Sequence, residues 1–599
     1  MVHAPSWRVL AASLSFAFVA GHAAADASAT GPTVSPAASS TAAGSTAATS
    51  TAATPAAPSS TASNPRGPGH AAIASANFLA TNAGFEVLGK GGNAFDAAVA
   101  VASTLGVVEQ QSSGIGGGFM AMLHTAKDSR DVFIDARETA PGAVDMKVYL
   151  GKDGKPNRDT STNGPLSSAI PGEPAGLVWM AEHYGRLPLS ASLAPAIRIA
   201  KEGFQPDARF LHTIETRKDV LMRYPASAAI YLPGGKVPQA GWTLRQPDLA
   251  KTLERIAAKG HDGFYKGETA KLLVAASRKG GGNWTTADFD AYQAKERTPL
   301  TVDYRGYRII TPPPPSSGGV AIAEILNILG GFDLTKMDTA HATHLVIEAM
   351  RRSFRDHNEY LGDPDFVKMP LDMLLSKYYA DGLRATISPD KATPSDLLPA
   401  SMAPEPGMHT THFSIIDADG NMVGSTLTVN LEFGSAFVAQ GTGVVLNDEM
   451  DDFALVPGQP NAYGLRGAIA NAPVGGKRML SSMSPSFVLG ADRTAIIGSP
   501  GGSTIITQVL EGILGFIDGK TASEITAQKR YHHQYLPDRV DVEAGAFDAA
   551  TAKTLTDMGH VLQDRAPWGF MNVVTWDHRN NQLDAASDPR RPSGLGKVQ

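Results

Sequence analysis

Two threonines at the same end of a short hairpin carry the clearest chemical signal in this chain. The run HTTHFSIIDADGNMVGSTLTVN, His409 to Asn430, opens with Thr410 and returns through Thr428 to Asn430. His412 to Asp417 is β-branched and loosely alternating, Asp419-Gly420 is a strong turn signal, and Met422 to Val429 runs back. A two-residue Asp419-Gly420 loop sets Thr410 opposite Val429, and a register one residue away sets it opposite Thr428. Either pairing crowds two hydroxyls and an amide at one strand end. A threonine hydroxyl becomes a nucleophile only beside a base. Threonine also favours strands for steric reasons, so the hairpin alone equally fits an ordinary Thr-rich strand.

Other residues narrow the chemistry. Gly501-Gly502 precedes a helical segment, Thr504 to Phe516, so its amides sit at a positive helix end where an oxyanion is stabilised. The alternative is a plain turn. Arg137, just past an apolar strand, offers the planar fork that grips a carboxylate at two points. Ser481-Ser482 adds hydroxyl donors. Glu449 and Asp451-Asp452 suit a protonated amine, or a solvated turn. Arginine, serines and acids in one site would call for a zwitterion, the α-amino acid end of a substrate.

The glycine runs Gly114 to Gly118 and Ser499 to Ser503 lack the Gly-Lys-Ser/Thr of a P-loop, and the dinucleotide fingerprint is absent. His341/His344 and His532/His533 come with no H-E-x-x-H and no cysteine pair. They read as structural, and neither a metal nor a cofactor is expected.

These residues need a large frame. At 599 residues, 43% hydrophobic and 18% charged, the chain is globular in composition, and a net charge of -6 gives no reason to expect nucleic acid or an anionic membrane as partner. Arg8, the apolar stretch Val9 to Ala20 and Ala23-Ala24-Ala25 form a secretory signal, residues 1–25. Residues 26–68 are almost wholly Ala, Ser, Thr, Pro and Gly, a low-complexity tether. With 0 cysteines, neither a lipid anchor nor a disulfide is available, so a soluble periplasmic or secreted protein without a membrane anchor is expected.

Order begins near His70. Asn93 is the expected N-cap of a helix to about Val108. A glycine bend leads into the strand Phe119 to His124, and the return strand ends at Asp135. A helical middle spans about 170 to 300, and a second helical block runs to about Leu383. Ala392 to Pro406 reads as an exposed linker. Strands near 484–498 and 571–586 flank the helix after Gly502, and this alternation indicates α/β layers.

At these residues the chain resembles the γ-glutamyltransferase (γ-glutamyltranspeptidase, glutathione hydrolase) family, bacterial type. The matching stretches include GKGGNAFDAAVA at 89–100, GIGGGFM at 114–120, DARETAP at 135–141, YLGDPDF at 360–366, TTHFS at 410–414, NDEMDDF at 447–453, SSMSP at 481–485, GSPGGS at 498–503, HHQYLPD at 532–538 and ASDPR at 586–590. The resemblance implies an N-terminal-nucleophile hydrolase with an αββα sandwich, made as one precursor. It implies self-cleavage between His409 and Thr410 into a large subunit, 69–409, and a small catalytic subunit, 410–599, which stay together as a heterodimer.

By the same resemblance Thr410 is the nucleophile and its freed α-amino group the base, with an ordinary pKa of about 8. Thr428 aids it, and Gly501 and Gly502 form the oxyanion hole. Arg137, Ser481 and Ser482 hold the donor's carboxylate; Asn430, Glu449 and Asp452 hold its α-amino group. PGQPNAYGL at 457–465 resembles a lid loop with Tyr463 as its gating aromatic. Glutathione and related γ-glutamyl compounds are the expected donors, with water, amino acids or dipeptides as acceptors. Glu449 where glutamine is common, Tyr535 where tryptophan is usual, and His409 at the scissile bond depart from the pattern. A glutaryl or cephalosporin acylase of the same superfamily and a non-enzymatic exported binding protein are the alternatives.

Overall fold

The computed structural model describes residues 67–398 and 410–599. The expected signal peptide, residues 26–66 of the tether, and His409 lie outside the described residues.

Period-two alternation builds two antiparallel sheets. From edge to edge the first runs Leu595–Val598, Ala72–Ser75, Thr411–Ile416, Met422–Thr428, Gly118–Thr125, Arg130–Ala136 and Lys295–Arg297. The second runs Gln582–Ser587, Asn572–Asp577, Arg493–Gly498, Ser486–Leu489, Tyr307–Thr311 and Leu300–Tyr304. Successive side chains point to opposite faces. Phe119, Ala121 and Leu123 therefore enter an outer core with Phe85, Val101 and Leu177 from the helices Phe78–Gly89, Ala94–Val108 and Glu173–Tyr184. Met120 and Met122 enter the core shared with Phe487 and Ile496 of the second sheet. That sheet's other face is covered by Gly318–Leu329, Thr339–Tyr360 and Thr504–Ile517. The result is the four-layer αββα sandwich expected from the resemblance. Asn93 caps the Ala94–Val108 helix in a reciprocal capping box with Asp96.

The first sheet mixes strands from before and after Thr410. Separating the chain there leaves every strand pairing intact, so cleavage need not part the halves. Between the sheets lies a polar wedge. His412 bonds Thr426 Oγ1 through Nδ1 at 2.9 Å and Ser414 Oγ through Nε2 at 3.1 Å, while Asn572 Nδ2 donates to its carbonyl. Burial pushes the His412 pKa down to about 3, so the ring is neutral. It occupies the space that a side chain at Gly498 would need.

The turn corrects one expectation. The loop has three residues, Ala418-Asp419-Gly420, closed by Asp417 and Asn421, and Thr411 pairs with Leu427. Thr410 is therefore aligned with Thr428 rather than Val429. Asp417 causes the change. Its Oδ1 accepts from the amides of Asp419 and Asn421 at 3.0 and 2.9 Å, and Gly420 takes the positive φ (92°) of a bulged turn. Asp417 Oδ2 also accepts from Ala94 N and Asn421 Nδ2 at 2.9 and 2.8 Å.

A second correction concerns the expected linker. Ala392 and Ser395 are buried, Ala392 N donates to Met558 O, and Ser395 N donates to Asp538 Oδ2. The acidic and proline content concealed this anchoring; residues 399–406 are not among those described. Among the described residues no helix is long and apolar enough to cross a membrane.

Asp417→Ala removes four hydrogen bonds to a buried carboxylate and frees the loop. A loss of about 2–4 kcal/mol is expected, read as a lower urea midpoint at unchanged slope, with Asp417→Asn milder. An unchanged midpoint would show that the register is set elsewhere.

Candidate active site

Thr410 sits at the first residue of the hairpin, 6% exposed, with its Oγ1 3.3 Å from Thr428 Oγ1. Thr428 Oγ1 in turn accepts from Asn430 N at 2.8 Å, which fixes the second hydroxyl. Thr410 has φ 142°, a region that β-branched residues rarely adopt. The glycine bend permits the strand end to close in. A Cβ at Gly117 would lie 1.9 Å from Thr428 O, and one at Gly118 would collide with the Glu138 carboxylate. The GIGGG run thus serves backbone approach.

The opposite end of the cleft is a buried charge cluster. Arg137 Nη1 lies 2.9 Å from Glu449 Oε2 and 3.3 Å from Glu138 Oε2, and its Nη2 donates to Asp452 Oδ2 at 2.5 Å. The carbonyls of Met479 and Leu480 accept from the same guanidinium. Burial alone would lower the Arg137 pKa; Glu449, Glu138 and Asp452 reverse this and raise it above its ordinary value. Burial pushes Glu138 and Glu449 up to about 7 against the pull of Arg137, and pushes Asp452 well up. Three carboxyl groups face one cation. One positive charge does not compensate all three, so burial favours protonation within the cluster.

Arg137, Thr410, Thr428, Asn430, Asp452, Tyr463, Ser481, Ser482 and Gly502 line one cleft. Glu449 lies behind it against Arg137, and Gly501 lies beside Gly502. Asn430 Nδ2 donates to Asp448 O, while its buried Oδ1 has no partner among the described residues. Gly501 and Gly502 take φ 137° and 58° before the Thr504–Ile517 helix. Among the described residues neither amide donates to a protein acceptor. Tyr463 donates its hydroxyl to Asn430 O at 2.9 Å and lines the cleft. The loop carrying it is tied down at Ala462, whose amide donates to Asp451 Oδ2, and at Asn461, which donates to Asp452 Oδ1. Asp451 is thus a structural anchor, distinct in role from its neighbour.

Glu138, Asn461 and His357 escaped the sequence reading. Glu138 stands inside DARETAP beside Arg137, yet its inward turn follows only from the sheet edge. His357 comes from a distant helix, and nothing in its spacing connects it to the hairpin. Of the histidines read as structural, His344 lies with Glu348 and His560 so that potential ligand atoms fall within 4.8 Å of one another. Glu348 is, however, paired with both Arg351 and Arg352, and His344 Nδ1 is hydrogen-bonded to His560 Nε2 at 2.8 Å. Two flanking guanidinium groups oppose a cation there.

Comparison with known proteins adds to this geometry. A family model described as Gamma-glutamyltranspeptidase matches residues 80–598. The glutathione hydrolase proenzyme of Pseudomonas sp. (strain A14) is 43% identical over 544 residues, covering 88% of this chain and 94% of that one. Cephalosporin acylase from Bacillus halodurans superposes with a TM-score of 0.77 at 29% identity, covering 88% of this chain and 95% of its own. The γ-glutamyltranspeptidase of Helicobacter pylori gives 0.52 at 38% identity, over 53% of this chain and 92% of the matched chain.

The charge cluster generates a pH-dependent stability. Glu449 has a folded pKa of about 7 against an ordinary 4.5. A carboxyl raised in this way contributes stability that is complete below the unfolded value and lost as pH rises through the folded one. Glu449→Gln removes that dependence. Between about pH 5 and 8 the unfolding free energy of the variant should therefore gain on that of the wild type. Parallel pH profiles would contradict the assignment.

Proposed function

This chain belongs to the gamma-glutamyltranspeptidase family and acts as a γ-glutamyltransferase and glutathione hydrolase, and we propose that Thr410 is its nucleophile. The observation that carries this reading is the Thr410–Thr428 hydroxyl pair, 3.3 Å apart, in a cleft that also collects Arg137, Asp452, Ser481, Ser482 and Gly502. A glutamyl donor matches that set group by group. Its α-carboxylate meets Arg137 and the two serines, its α-ammonium meets Asn430, Glu449 and Asp452, and its γ-carbonyl oxygen meets the amides of Gly501 and Gly502.

Maturation comes first. Thr410 Oγ1 attacks the carbonyl carbon of His409, the peptide nitrogen departs as an amine, and water opens the resulting ester. The unusual φ of Thr410 supports this step, because a backbone held in a sparsely populated region is relieved when the bond breaks. The products are a large subunit, 69–409, and a small subunit, 410–599. They remain one heterodimer because the first sheet is woven from both.

The freed α-amino group of Thr410 then accepts the hydroxyl proton as Oγ1 attacks the γ-carbonyl carbon. The oxyanion is held by the two glycine amides, each such donor being worth about 3 kcal/mol. Collapse expels the amine, which takes the proton. Water or an amino acid or peptide amine then attacks the γ-glutamyl ester and restores Thr410. Tyr463 keeps bulk water out while the acyl group is bound. The signal segment ahead of the fold supports export to the periplasm or medium.

The structural likeness to a cephalosporin acylase favours one other reading, a glutaryl-type acylase. Asn430 and the acids around Arg137 weigh against it, since a donor without an α-amino group leaves them unanswered.

Purified protein should run as two fragments on a denaturing gel, with Thr410 as the N-terminus of the smaller. Thr410→Ala should leave one full-length band and reduce γ-glutamyl-anilide turnover at least about a thousandfold. Retained cleavage or turnover displaces Thr410. Preference for a glutaryl amide over glutathione would favour the acylase.

A further inference from the structure

His357 occupies the last turn of the Thr339–Tyr360 helix and lines the same cleft as Thr410, although no step above uses it. The residue is 3% exposed. Its Nδ1 lies 3.0 Å from Asn358 Oδ1, which can only accept, so the proton resides on Nδ1. Nε2 therefore presents a lone pair, and among the described residues it has no partner. The ring is held against Phe354, with centroids 5.6 Å apart, and Asn358 O is fixed by Ala468 N just beyond the lid. Burial pushes its pKa down to about 4, so the ring is neutral at ordinary pH and Nε2 can only accept. The lining side chains Leu465, Leu480, Met483 and Ile505 offer it nothing.

A buried acceptor without a donor costs free energy unless a ligand or water completes it. An acceptor cannot serve a carboxylate or a carbonyl oxygen. On the reading given under Proposed function, the donor's carboxylate, ammonium and carbonyl oxygen already have partners. Within the glutamyl amide itself one polar group remains, the nitrogen that leaves in acylation and enters in transfer. We propose that His357 Nε2 accepts a hydrogen bond from an N–H of that amine, making it a binding residue for the acceptor amine and a determinant of transfer against hydrolysis.

The test uses the mature full-length enzyme with γ-glutamyl anilide as donor and Gly-Gly as acceptor. His357→Leu, which fills the space without an acceptor, should raise the Gly-Gly KM about tenfold. The Gly-Gly KM should move several times further than the anilide KM, and self-cleavage should be complete. His357→Gln, whose amide oxygen reaches the Nε2 position, should recover most of the transfer. An unmoved Gly-Gly KM overturns the proposal, as does a parallel rise in the anilide KM, which would place His357 on the glutamyl portion. Should the Leu variant fail to mature, the 15N resonance of Nε2 in the wild type, assigned through H357Q, decides. It must shift on saturation with Gly-Gly, and a static resonance overturns the proposal. A wild-type enzyme with no γ-glutamyl turnover would instead overturn the function on which this rests.

Discussion

The register of one hairpin governs the site. Shifting a strand by one residue sends each of its side chains to the opposite face. In the observed pairing, His412 and Ser414 face the second sheet while Phe413 and Ile415 face the outer helices. A slipped Thr411–Ile416 strand would bury two polar groups among aliphatic side chains and expel Phe413 into the polar wedge. The same slip would move Thr410 away from Thr428. Alignment of the two hydroxyls and core composition are thus one constraint. Asp417 enforces it locally through the loop amides and ties the loop to the start of the Ala94–Val108 helix.

At the other end of the cleft the governing quantity is charge. Arg137 is buried among Glu138, Glu449 and Asp452, so the site is itself an internal ion cluster. Breaking a buried pair without replacing it is costly. On the proposed reading a zwitterion would replace both halves together, its carboxylate facing Arg137 and its ammonium facing the acids. A simple carboxylate would satisfy the arginine and leave the acids protonated or uncompensated. The proposed selectivity for an α-amino acid end would then follow from the pairing already present.

Much of this was legible in the residue order because the relevant groups fall at strand ends marked by glycine or by a turn. Thr410, Gly501-Gly502 and Arg137 each announce themselves by such a boundary. The residue order is compatible with two hairpin registers, since a loop of two residues or three depends on what the Asp417 side chain bonds. The apparent linker at Ala392 misled for a similar reason. Acidic and proline-rich composition signals exposure, yet the partners Met558 and Asp538 lie far along the chain. His357 was invisible because a histidine in an amphipathic helix carries no mark of which cavity it faces.

The frame itself does not select the reaction. Cephalosporin acylase from Bacillus halodurans shares the architecture over 88% of this chain, and a fold held in common leaves function to the groups grafted on it. The layers bring a buried strand end and the glycines ahead of a helix, Thr410 and Gly502, to one cleft. What narrows the choice lies on connecting segments: the turn carrying Glu449 and Asp452, the Ser481-Ser482 bend, and the loop with Tyr463. The Tyr463 hydroxyl bonds the carbonyl of Asn430, whose side chain faces the same cleft. The Tyr463 loop is thereby tied, through one backbone carbonyl, to the residue proposed to read the ammonium.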